Sequence, residues 1–144
     1  MDSSALLRAI FGEGHHSAVD SALEEGALIS EITEVEVPTA INRRLHLHLI
    51  DGRAYDEYLR SAADVIAAAI SIELNEAVKR EANEVSRVYP LRALDAIQVA
   101  SAAIADRTSK RRGGSVAFIT ADLRQADAAR SIFGERRTIL LDPI

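Results

Sequence analysis

The sequence predicts an α/β fold with a parallel sheet covered on both faces, and three observations carry that prediction. Short apolar runs fall at residues 27–30, 70–72, 116–120 and 138–142, with longer helix-patterned segments between them. Within those runs the apolar residues are mostly continuous, as in strands buried on both sides. The alternation of strand-like and helix-like segments is that of βα units. The 144 residues suffice for one domain with one sizeable core. With no cysteine, disulfides and thiolate metal sites are excluded, and an intracellular home is expected. No apolar run approaches the roughly 20 residues of a membrane helix, and no secretory leader is recognisable. The net charge of −5 is the wrong sign for gripping nucleic acid by bulk charge. A nucleic-acid role therefore needs local cations around an acidic centre.

Residues 1–11 read as a helix entered through Asp2, Ser3 or Ser4, all good N-caps, and closed by Gly12 and Gly14. Residues 15–25 form a second short helix ending at Gly26. The run 27–30 is a buried strand. Thr33 and Glu36 then have capping-box spacing, a complete structural reason for Glu36. Pro38 complicates it, because proline suits the first helical position and not later ones. Either the helix begins near Val37, or it begins at Thr33 and carries Pro38 inside. A helix over 51–69 follows the Asp51-Gly52 turn, with Leu59, Ala62, Ala63, Ile66 and Ile70 as its apolar stripe. A short strand at 70–72 precedes a charged helix over 73–88, whose inner face is Leu74, Ala77, Val78, Ala82 and Val85. Tyr89-Pro90 stops it.

The stretch from Leu91 to Ala103 opens a helix of small apolar residues that packs close to a sheet. Ile97, Ala100 and Ile104 mark its buried side. Asp95 interrupts the apolar run in the first turn, and Gln98 shares its side of the helix. Side chains lean toward a helix N-terminus, so Asp95 is expected to point past the end of the helix. Residues 108–115 are a polar loop with three consecutive cations. A strand at 116–120, a helix opened by Asp122 and closed at Gly134, and a last strand at 138–142 complete the chain.

In parallel α/β folds ligand chemistry gathers at the carboxyl ends of strands. Asp2, Glu36, Asp95 and Asp122 fall at such places. Each alone reads as a cap or a complement to a helix dipole. Together, their repulsion calls for a divalent cation, and an all-oxygen donor set favours Mg²⁺ or Mn²⁺ over zinc. His15, His16, His46 and His48 form no helical zinc pair. No glycine-rich phosphate loop is present. A receiver-like phosphoacceptor domain lacks its lysine after a late strand.

The segments Asp2-Ser-Ser-Ala-Leu-Leu, Thr33 to Arg44, Arg92-Ala-Leu-Asp-Ala-Ile-Gln-Val-Ala-Ser-Ala and Phe118-Ile-Thr-Ala-Asp-Leu-Arg-Gln-Ala resemble, in order and spacing, the motifs of PIN-domain proteins, specifically VapC-type toxins of bacterial toxin–antitoxin pairs. The resemblance covers nearly the whole chain. It implies one three-layer α/β/α domain over residues 1–144 and a metal-dependent ribonuclease that leaves 5′-phosphates. It also implies a VapB-like antitoxin partner, a homodimer and a cytoplasmic setting.

On that reading Asp2, Asp95 and Asp122 hold Mg²⁺ or Mn²⁺, directly or through waters, with Glu36 assisting or completing a second site. Ser4, Thr120 and Gln98 orient ligands or waters. Arg92, Arg43, Arg44 and Arg124 contact RNA phosphates, Arg92 foremost, being one turn before Asp95. The family carries an inner strand before its first Asp. Here only Met1 precedes Asp2, so that strand is expected to be truncated. The α-amino group would then sit near Asp2 and compete with the metal. A non-catalytic PIN-like module that binds RNA or protein without cutting is the alternative.

Overall fold

The computed structural model describes residues 1–14 and 17–142, and the sequence expectations for His15, His16 and the last two residues lie outside them. Helix α1 (Ser3–Phe11) and α2 (Ser17–Glu25) lead to strand β1 (Leu28–Ser30), then α3 (Thr33–His46), α4 (Gly52–Ala68) and β2 (Ile70–Ile72). Helices α5 (Glu76–Val88) and α6 (Ala93–Lys110) follow, then β3 (Phe118–Thr120), α7 (Leu123–Phe133), a 3₁₀ turn over Glu135–Arg137 and β4 (Thr138–Leu140). The α/β class and the parallel pairing are as the sequence predicts. Two cores, one on each face of the strands, give the three layers. Leu6, Val37, Ile41, Ala62 and Ile119 belong to one, and Val78, Val85, Val99, Phe118 and Phe133 to the other. Neighbouring Phe118 and Ile119 enter opposite cores, as the alternation of side chains along a strand requires.

The strands pair in two separate parallel sets. Leu28, Ile29 and Ser30 face Ile70, Ser71 and Ile72, while Phe118, Ile119 and Thr120 face Thr138, Ile139 and Leu140. Met1 and Asp2 run between the sets: the Met1 α-amino group donates to the Leu28 carbonyl (3.0 Å) and the Asp2 N–H to the Ile119 carbonyl (3.0 Å). The amino group is thus engaged on the β1 side. Burial pushes it below its usual range, and Asp2 pulls it the other way.

Among the described residues, four helices start on a capping side chain. Asp2, Asp51, Asn75 and Asp122 each accept a backbone N–H of the first turn. Asn75 displaces the expected start of α5 from residue 73. Two other expectations fail. Helix α3 begins at Thr33 with Pro38 inside it, one of the two starts the sequence allowed, but no side chain caps it, so it is the Thr33–Glu36 capping box that fails. Ala63 and Ile70 are exposed; the inner side of α4 is carried by Tyr55, Tyr58, Leu59, Ala62, Val65 and Ile66. Ile70 has passed into β2, where it is 59% exposed.

At the far end of α6 a buried carboxylate ties three segments together. Asp106 accepts from Arg137 (2.6 Å), Lys110 (2.7 Å) and the Val116 N–H (3.1 Å). Burial works to raise its pKa, but Lys110, the Val116 amide and Arg137 together hold it below the usual carboxylate range. Its stabilisation is therefore present above that range and lost as pH falls through the lowered value. Asp106→Asn is expected to cost about 1–2 kcal/mol near neutral pH. Urea titrations of the two proteins should converge in acid.

Candidate functional site

All four acids singled out in the sequence line one cleft of about 820 Å³, together with Ser3, Ser4, Gln98 and Gln125. The parallel fold explains the convergence: Asp2 caps α1, Glu36 is in the first turn of α3 after β1, Asp95 in the first turn of α6, and Asp122 caps α7 after β3.

Asp2 lies deepest and is wholly buried. Its carboxylate accepts from the Ala5 N–H (2.9 Å), from Ser4 Oγ (2.9 and 2.8 Å to its two oxygens) and from Thr120 Oγ1 (2.8 Å). Burial raises its pKa, against the lowering effect of these donors and of the α-amino group. The two hydroxyls are themselves fixed. Ser4 Oγ accepts from the Ala121 N–H (2.9 Å), and Thr120 Oγ1 from the Asp122 N–H (3.0 Å). Ser4 and Thr120 thus lock Asp2 to the carboxyl end of β3.

Glu36, released from capping duty, is held from the side. Ser3 Oγ and Gln98 Nε2 both donate to its Oε2, each at 2.7 Å. Gln98, buried, also reaches Ser3 Oγ (2.7 Å) and Thr33 Oγ1 (3.0 Å). Oε1 of Glu36 accepts no hydrogen bond among the described residues. Asp122 uses Oδ1 to cap α7, accepting from the Arg124 and Gln125 N–H groups (2.8 and 3.1 Å). Its Oδ2 lies 3.8 Å from the Arg124 guanidinium.

Asp95 is half-buried, and Gln125 Nε2 donates to its Oδ1 at 3.2 Å. Its pKa is raised first by burial, then by the charge of Asp122 and, more weakly, of Glu36; Arg124 and the Arg92 N–H oppose this. Burial and like-charge repulsion thus act on one carboxyl at a cleft mouth.

The donor set fits a hard divalent cation in kind: all oxygen, anionic and mutually repelling. Among the described residues, however, no three such side chains stand close enough together to enclose an ion.

The cations divide. Arg43 and Arg44 line the cleft, and Arg124 flanks Asp122. Arg92 is exposed beside Asp95 without lining the cleft. His46 and His48 are exposed and lie outside the cleft lining. Ser3, Thr33 and Gln125 are participants that the sequence reading did not single out for the site. A signal was there: Asp95-x-x-Gln98 and Asp122-x-x-Gln125 repeat one spacing. In each, the glutamine serves an acid of another element: Gln98 holds Glu36 and Gln125 holds Asp95.

The family model of the PIN domain matches residues 1–131 of the chain. No curated protein matches it.

Proposed function

The chain belongs to the PIN-domain family, a nuclease-type fold, and from that premise we propose that it is a Mg²⁺- or Mn²⁺-dependent endoribonuclease, the toxin of a VapBC-type toxin–antitoxin module. The observation that carries the reading is the rim of Glu36, Asp95 and Asp122 over buried Asp2, in one cleft that also holds Arg43. Asp95 and Asp122 would hold the ion with Glu36 assisting. Asp2 would act through waters, since its oxygens already accept from three donors, the Ala5 N–H and the Ser4 and Thr120 hydroxyls.

When bound, such a cation supplies an activated water and offsets charge developing on the phosphate. The chain's own residues do the positioning. Gln125 fixes one oxygen of Asp95, and Ser3 and Gln98 fix one oxygen of Glu36. Arg43 in the cleft lining and Arg124 beside Asp122 supply cations for the RNA backbone. Purified protein incubated with single-stranded RNA and Mn²⁺ should yield fragments bearing 5′-phosphates, and EDTA should stop the reaction. RNA that is bound but stays intact would favour the non-catalytic PIN-like module.

A VapB-like antitoxin, a homodimer and a cytoplasmic setting complete the proposal. Coexpression with the neighbouring small reading frame should yield a copurifying complex. No helix among the described residues is long and apolar enough to cross a membrane.

A further inference from the structure

One part of the cleft lining, an arm set apart by its residues from the acids, comes from Leu7, Phe11 and Glu13 of the α1 end and from Arg44, Leu47 and Leu49 of the α3 end. There the Arg44 guanidinium carbon lies over the Phe11 ring, 3.7 Å from its centroid, and Tyr58 abuts that ring edge-on at 5.1 Å between centroids. Arg44 is also ion-paired with Glu13, and its side chain remains 34% exposed. Leu7, Leu47 and Leu49 line the same arm, and Leu49 is 66% exposed.

These contacts change what Arg44 is suited for. Its charge already faces a carboxylate, so a phosphate would have to compete with Glu13. An aromatic ring backs Arg44, and a planar guanidinium so backed, its side chain still 34% exposed, suits stacking against a flat, polarisable group. Neighbouring Arg43 is exposed and has no ion pair among the described residues, which suits it to phosphate.

Resting on the ribonuclease reading, we propose that Arg44, backed by Phe11, is the stacking platform for an unpaired nucleobase of the RNA, in a subsite continuous with the acid rim. The base lies on the guanidinium with leucine side chains beside it, as unstacked bases do on arginine and aromatic planes. The cleft then grips one nucleotide at two chemically different ends: sugar-phosphate near the acids and Arg43, and the base on Arg44. A protein helix laid in the same arm would need its apolar contacts but not the flat cation.

The test compares binding of a short oligoadenylate with that of an abasic ribose-phosphate oligomer of the same length, by fluorescence anisotropy in EDTA. Wild-type protein should bind the base-bearing oligomer more tightly. Arg44→Lys keeps the charge and loses the plane. It should remove roughly tenfold of that preference while leaving the abasic oligomer unaffected. Phe11→Leu, which withdraws the support and keeps Arg44, should act in the same direction, with thermal melts confirming folding. Arg43→Ala should weaken both oligomers alike.

Equal wild-type affinity for the two oligomers, or an Arg44→Lys variant that keeps the preference, overturns the base platform. Equal weakening of both oligomers by Arg44→Lys overturns it too and makes Arg44 a phosphate contact. Failure of the nuclease reading shows separately, as RNA left uncut with Mn²⁺ despite base-dependent binding. No affinity for either oligomer overturns the base platform and leaves the arm to a protein partner.

Discussion

Asp95→Asn is expected to inactivate the protein and stabilise it at once. Loss of this carboxylate removes a proposed ligand from the rim, so Mn²⁺-supported RNA cleavage should fall by roughly a hundredfold or more. The stability effect follows from the raised pKa, which burial, Asp122 and Glu36 produce. A carboxyl shifted upward is favoured protonated in the folded protein. Its contribution to stability is full at low pH and is lost as pH rises through the raised value. Asparagine imitates the neutral acid at every pH. The variant should therefore melt higher than wild type near neutral pH, by roughly 1–4 °C because the group is partly solvated. The difference should vanish below about pH 3, where wild-type Asp95 is protonated in both states. Thermal melts across that range check the sign. Added Mn²⁺ should raise the melting point of wild type and not of the variant.

Gln98 carries the second large effect, in the opposite direction. Its Nε2 is within 3.0 Å of Ser3 Oγ, Thr33 Oγ1 and Glu36 Oε2. Truncation to alanine opens a buried hole and leaves these acceptors without their shared donor. Gln98→Ala should cost about 2–4 kcal/mol in urea titrations and should also lower cleavage, because Glu36 loses one of its two anchors. Gln98→Glu separates packing from hydrogen bonding. It preserves the shape but sets a second carboxylate against Glu36. Its instability should be severe near neutral pH and should ease in acid, as one of the pair takes up a proton. An alanine-like loss that is flat with pH would mean that packing alone gives Gln98 its importance.

What could be read from the sequence, and what could not, divides by distance along the chain. Helix starts were legible because the cap and its N–H partner lie two or three residues apart, as at Asp2, Asp51 and Asp122. The four acids were legible because a βα order places helix N-termini at one sheet edge. Glu36 was not settled locally, since a capping box with Thr33 gave it a complete structural reason while Pro38 left the helix start open. What decides its role is Gln98, 62 residues away. The Asp2–Thr120 bond, across 118 residues, is equally invisible to periodicity. Ile70 fits a helical stripe, yet its N–H goes to the Ala27 carbonyl and pairs the chain into β2. In that strand Ile70 and Ser71 are exposed and only Ile72 is partly buried, so the apolar run overstated its burial.

On the proposed function, Glu36, Asp95 and Asp122 close on a hard cation that draws their repelling carboxylates together. Titration of the metal-free protein with Mn²⁺ near neutral pH, followed by electron paramagnetic resonance of the free ion, tests it most directly. Saturable uptake by wild type that is abolished in Asp95→Asn is the result this account predicts. Absence of uptake by wild type, or equal uptake by the variant, would contradict it.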